Sequence, residues 1–235
     1  MFLDKKMKKR FFEPYIGPKY HEGIRGKKIL VFGASFYCNK KSCPNFKDCT
    51  NPQSKDSSLF DKICPEYKDK LFYDKPMKLS NEPSFAIDNG YRAYRNFGAF
   101  MQNFVEDKQE FIWDRMAFTD YMQFFSPTVA TKPEYLSERD FEAFVELIQE
   151  LQPHIVFIWG LPVTAEVRDK KEHIEYLHIK DHDKLLESEY YVCHMDVSGV
   201  PHEISLVCTF HPSSVSYWYR DRDKLIKYFD KVINQ

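Results

Sequence analysis

Four short apolar runs, each closed by a glycine or a polar residue, constrain this chain more than any other feature. They are Ile29-Leu30-Val31-Phe32 before Gly33, Met116-Ala117-Phe118 before Thr119-Asp120, Ile155-Val156-Phe157-Ile158-Trp159 before Gly160, and the run at 203–210 before His211. A continuous apolar run this short is a strand covered on both faces, as in a buried parallel sheet. Between the runs lie segments of helical spacing. Tyr94, Phe97 and Met101 share a face within 91–101, and Phe141, Phe144, Val145 and Ile148 share one within 134–151. Pro153 stops the second segment. The charged stretch 165–189 reads as a solvated helix, and 221–232 as a closing one. Strands alternating with helices predict an α/β fold, a three-layer α/β/α sandwich around a mostly parallel central sheet of about four strands.

The 235 residues are expected to form a single domain, 1–235. Its one interruption is a polar, proline-bearing segment at about 39–89, a cysteine-bearing insertion after the first strand. The formal net charge of -1 excludes bulk electrostatic attraction to a polyanion, so any nucleic-acid contact rests on local patches. No apolar run approaches the roughly 20 residues that span a bilayer, and the N-terminal MFLDKKMKKRFF has no secretory apolar core. The expectation is a cytoplasmic protein, probing no membrane.

Six cysteines in a reducing compartment are expected to be thiols rather than disulfides. Cys193 and Cys208 lie in apolar surroundings and read as core. Cys38, Cys43, Cys49 and Cys64 are clustered, and four thiolates satisfy either zinc or an iron–sulfur cluster. The alternatives are four independent thiols on a loop, or Cys38 belonging to a pocket. The spacing alone does not separate these readings.

In open parallel sheets ligands bind beyond the carboxyl ends of the strands. That singles out Gly33-Ala34-Ser35-Phe36-Tyr37-Cys38, Thr119-Asp120-Tyr121 and His211-Pro212-Ser213-Ser214-Val215-Ser216. These strand ends, in this order, resemble the motifs of the uracil-DNA glycosylase superfamily over most of the chain. The family's first motif is Gly-x-Asp-Pro-Tyr-His or a shorter Gly-x-x-Pro form, and here its glycine and tyrosine are kept as Gly33 and Tyr37. Asp120 stands where the family has a base-reading asparagine. Residues 151–160, Leu-x-Pro then an apolar strand and glycine, are similar to a further family signature. His211-Pro212-Ser213-Ser214-Val215-Ser216 nearly matches the last motif, His-Pro-Ser-Pro-Leu-Ser.

The resemblance implies a DNA glycosylase that holds a flipped base in a snug pocket. His211 would stabilise the departing base anion by directed hydrogen bonding. Gly33, Ala34, Tyr37 and Asp120 would line the base. Ser213, Ser214 and Ser216 would contact phosphates, with Val215 the apolar wedge and Arg220 and Arg222 further phosphate contacts. Tyr217, Trp218 and Tyr219 would stack on unpaired bases. DNA, single- or double-stranded, would be the partner of a monomeric protein. A histidine after a strand is otherwise a hydrogen-bonded core group, and neighbouring aromatics are packing residues.

Two departures from the family matter. Ser35 replaces the aspartate that positions the attacking water, and a hydroxyl without an adjacent base is a poor proton acceptor. Asp120 replaces the asparagine. An asparagine amide suits uracil, whereas a protonated aspartate pairs a donor with an acceptor and suits cytosine. Asp120 would alternatively be the water-activating base, or merely the cap of a turn. Phe46, Phe60 and Phe85 are candidates for a ring that stacks on the base. The function classes left open are a glycosylase, a catalytically silent nucleic-acid or nucleotide binder, and a nucleotide-processing hydrolase.

Overall fold

The structure, a computed structural model, describes residues 10, 12–38, 41–44, 46–51, 82–128, 131–170, 177–184, 191–214 and 222–235. The four apolar runs are strands: β2 (Ile29–Gly33), β3 (Met116–Asp120), β4 (Ile155–Trp159) and β7 (Ile204–Thr209). They pair in parallel in the order β3-β2-β4-β7. Burial of nearly every residue in them explains why their sequences run apolar rather than alternating.

The sheet is larger and more mixed than four parallel strands. The two-residue β1 (Tyr15–Ile16) runs antiparallel on β3, and the hairpin β5 (Leu177–Lys184) and β6 (Tyr191–Val197) extends the other side. The described sheet has seven strands in the order β1-β3-β2-β4-β7-β6-β5. This corrects the expectation of a mostly parallel sheet of about four strands, and also the helical reading of 165–189. Charge density, not periodicity, carried that helical reading. Only its first part is helical, and β5 occupies 177–184 as a strand. In β6, Cys193, Met195 and Val197 are buried between half-exposed His194 and exposed Asp196, the period-two mark of a strand.

Six described helices are α1 (Phe46–Cys49), α2 (Pro83–Asp88), α3 (Arg92–Met101), α4 (Glu138–Leu151), α5 (Leu161–Asp169) and α6 (Arg222–Ile233). Helices cover both faces of the sheet. On one, Val31, Phe118, Phe157 and Trp159 pack with Phe97 and Phe100 of α3 and Phe229 of α6. On the other, Leu30, Phe32, Val156 and Ile158 pack with Phe144 and Ile148 of α4 and Val163 of α5.

Helix α4 begins later than its apolar spacing suggests, because Ser137 and Asp140 cap it. Asp140 Oδ2 accepts both the Ser137 N–H and the Ser137 hydroxyl at 2.8 Å, and Oδ1 accepts the Gln123 N–H at 2.7 Å. One fully buried carboxylate thus ties the start of α4 to the loop after β3. Burial pushes it up to about 6 against those hydrogen bonds. At the other end Gln152 turns left-handed (φ 46°) ahead of Pro153. Of the segment expected as an insertion, α1 and α2 are described, and the stretch 52–81 lies outside the described residues. Cys193 and Cys208 are buried thiols, as their surroundings in sequence suggest. Among the described residues no helix is long and apolar enough to cross a membrane.

Candidate functional site

The register of the parallel strands builds the site. Gly33 lies opposite Asp120, and Phe32 opposite Ile158, so the next step along places Gly33 beside Trp159. Trp159 in turn lies opposite Thr209. Asp120, Gly33 and Trp159 therefore form one row at the carboxyl edge. Side-chain alternation puts Asp120 on the face of Phe118, and Trp159 on the face of Phe157, the face that α3 covers.

Gly33 is required by its neighbour. A Cβ there would sit 2.0 Å from Asp120 Oδ1 and 2.9 Å from Phe118 Cζ, so the carboxyl leans across the bare backbone of β2. Asp120 is 4% exposed, and among the described residues no donor reaches its carboxyl. Desolvation alone pushes it up to about 8, leaving it mostly protonated at neutral pH. Above the row sits Tyr94 of α3, its ring 4.8 Å from Phe118 and 5.7 Å from Trp159. Burial first, then the Asp120 and Tyr91 charges, hold its hydroxyl well above its ordinary range.

His211 follows β7 and turns its ring edge-on to Trp159, 5.9 Å between centroids. Its Nδ1 accepts the Ser213 N–H at 3.3 Å and lies 2.7 Å from the Ser213 hydroxyl. A backbone N–H only donates, so Nδ1 is the acceptor and the neutral ring carries its proton on Nε2. Desolvation lowers the imidazole below its ordinary 6.5, which favours that neutral form. The loop is held by a 2.9 Å bond from Ser214 N–H to His211 O and by Asn96 of α3, whose side-chain amide donates to Pro212 O at 2.8 Å. Val215, Ser216, the aromatics 217–219 and Arg220 lie outside the described residues. Arg222 is described, and its guanidinium donates to Ala99 O at 3.4 Å.

The first motif runs beside the loop after β3. Tyr121 N–H donates to Gly33 O (2.9 Å), Met122 N–H to Ala34 O (3.2 Å), Ser126 N–H to Phe36 O (2.7 Å) and Cys38 N–H to Ser126 O (2.9 Å). Ala34 faces Gly160, whose φ of 102° is a conformation that glycine alone takes easily. The Ser35 hydroxyl lies 2.6 Å from that of Thr131, with no acid or base beside it among the described residues. Tyr37 is 42% exposed and Tyr91 49%, and Tyr37 helps raise the Tyr91 pKa, after burial. These two open rings flank the site, while Phe36 packs inward on Phe12 at 5.0 Å. Phe46 and Phe85 are half-buried on α1 and α2, and Phe60 lies outside the described residues.

Cys38 packs against the apolar Phe12–Phe125 cluster, and Cys38 and Cys43 are free thiols. The Cys49 side chain and Cys64 lie outside the described residues. Among the described residues no group of three or more His, Cys, Asp or Glu is arranged to hold a metal ion. The groups that do gather, a protonated carboxyl, an imidazole N–H and a tyrosine hydroxyl, are uncharged at neutral pH. They suit a neutral, planar, hydrogen-bonding ring better than a phosphate or a carboxylate. Tyr94, Tyr91 and Trp159 join the residues named by the strand-end rule. Trp159 was findable by that same rule, as the last residue of its strand. The chain matches no family model and no curated protein.

Proposed function

We propose that this chain is a divergent member of the uracil-DNA glycosylase superfamily, a three-layer α/β/α protein that binds a base flipped out of DNA and hydrolyses its N-glycosidic bond. The observation that carries the reading is a neutral imidazole and a buried, protonated carboxyl gathered at one carboxyl edge. In the reaction the C1′–N1 bond breaks and its electron pair leaves with the base. His211 donates a hydrogen bond from its Nε2–H to the base carbonyl on which that charge develops, and water adds to the sugar cation, the proton it loses neutralising the released base anion by way of solvent. Because bond breaking leads, a strong base for the water is not essential, which accommodates Ser35.

Asp120 reads the base. A carboxyl raised to about 8 is a poor proton acceptor at pH 7, which argues against its being the water-activating base. Protonated, it offers one donor and one acceptor, matching N3 and the amino group of cytosine. With the proton on its other oxygen it meets N3–H and O4 of uracil as well. As pH rises through about 8 only acceptors remain, which suit the cytosine amino group or uracil N3–H but repel cytosine N3 and uracil O4 alike. Because Asp120 stands in place of the asparagine amide that suits uracil, the proposed preferred substrate is cytosine or a modified cytosine, with uracil second. Gly33, Ala34 and Tyr37 wall the base. Ser213, Ser214, Val215, Ser216 and Arg220 contact single- or double-stranded DNA. The protein works as a monomer in the cytoplasm, with zinc or an iron–sulfur cluster at Cys38, Cys43, Cys49 and Cys64 kept as a secondary proposal.

One observation favours a second reading, a silent binder of flipped bases or nucleotides: the Ser35 hydroxyl is engaged by Thr131 rather than by a base. Oligonucleotides carrying cytosine, modified cytosines, uracil, hypoxanthine or xanthine separate the two. Alkali-labile abasic product that disappears in His211→Ala supports the glycosylase. Base-dependent binding without product supports the binder.

A further inference from the structure

We propose that the Trp159 indole N–H is a hydrogen-bond donor to the bound base, so that Trp159 helps decide which ring the site accepts. The inference rests on the base-binding reading above. Trp159 is 1% exposed, and its Nε1–H is buried with no acceptor among the described residues. Buried donors in folded proteins are nearly all paired, so a leftover one at a strand end calls for a partner that arrives with a ligand. The placement agrees. Trp159 closes β4 in the same row as Gly33 and Asp120, and Gly33 contributes no side chain between the indole and the carboxyl. The ring also touches His211 at 5.9 Å and Tyr94 at 5.7 Å, so it belongs to the same cluster.

The hydrogen-bonding inventory then names the ligand class. Asp120 offers a donor and an acceptor, and His211 offers a donor. A second fixed donor that can never accept is useful only to a ring with one more acceptor, which in a pyrimidine held by Asp120 through its 3 and 4 positions is the C2 carbonyl oxygen. The site is built for a planar heterocycle bearing a carbonyl, and Trp159 discriminates against analogues whose carbonyl is weakened.

Trp159→Phe keeps the ring and removes the N–H. Its excision and binding of oligonucleotides carrying uracil or 2-thiouracil, and cytosine or 2-thiocytosine, are compared with wild type, alongside melting temperature. The expected result is a loss of about 10-fold to 100-fold in kcat/KM or affinity on the oxo bases. That loss shrinks on the thio bases, whose sulfur accepts poorly, and the melting temperature does not fall, because a buried unpaired donor has been removed. Equal losses on oxo and thio bases with a lower melting temperature would make Trp159 a packing residue and overturn the proposal. So would unchanged activity on all substrates. If the variant does not fold, the indole ¹H–¹⁵N resonance of Trp159 in labelled wild type must shift downfield when the oxo oligonucleotide binds, and a resonance that stays in place overturns it. Wild type that neither binds nor cuts in a base-dependent way overturns the base-binding reading itself, and this proposal with it.

Discussion

Replacing Asp120 by asparagine tests the electrostatic reading of the site without reference to any substrate. The folded carboxyl titrates near 8 and its ordinary value is 3.8. Between those values the unfolded chain has released the proton while the folded chain still holds it. The folded state thus binds more protons, and stability from this group falls as pH rises. Each unit is worth ~1.4 kcal/mol, so between pH 5 and pH 7 Asp120 alone takes away about 3 kcal/mol. The amide does not titrate. The difference in unfolding free energy, Asp120→Asn minus wild type, must therefore grow by about 3 kcal/mol over that window and level off above pH 8. Histidines such as His211, whose pKa is lowered, titrate alike in both proteins and cancel. Urea unfolding at half-unit pH steps, with equal m-values, gives the curve. Parallel stability curves for the two proteins would mean that Asp120 is ionised when folded, and the base-reading argument would fail with it.

Other outcomes follow from the same geometry. Gly33→Ala pushes a methyl into Asp120 Oδ1 and is expected to cost about 1–3 kcal/mol by urea unfolding, with much of the loss recovered in the Gly33→Ala/Asp120→Ala double variant. Asp140→Ala strips the cap of α4 and removes the carboxylate that accepts the buried Gln123 N–H, for a loss of about 2–4 kcal/mol. Phe157→Ala opens a cavity between β4, α3 and α6 and is expected to cost about 3–5 kcal/mol, seen as a lower denaturant midpoint at unchanged m.

The parallel centre was legible because strands buried on both faces run mostly apolar, as β2, β3, β4 and β7 do ahead of their polar or glycine ends. The β5–β6 hairpin was not. In Leu177–Lys184 six of eight residues are charged or histidine, and composition masked the strand. Edge strands carry such residues readily, since they need bury little. The two residues of β1 leave no periodicity to read. At the site, Gly33, Asp120 and His211 were visible as polar or side-chain-free residues placed where an apolar run stops. Tyr94 was hidden by the opposite property, for an aromatic in an apolar segment reads as packing, and Trp159 was open to the strand-end rule alone. Only the fold shows that the Trp159 N–H has no acceptor among the described residues and that Tyr94 lies over the row. Tyr37 and Tyr91 are far apart in sequence, and their adjacency comes from the course of the chain.

The most direct test of the central claim is excision from oligonucleotides carrying cytosine, a modified cytosine or uracil, by wild type and His211→Ala at pH 7. The account predicts an alkali-labile abasic product from at least one of these bases, reduced about 100-fold or more when the His211 donor is removed. Product formation that is equal in the two proteins, or base-dependent binding with no product from any substrate, would contradict it.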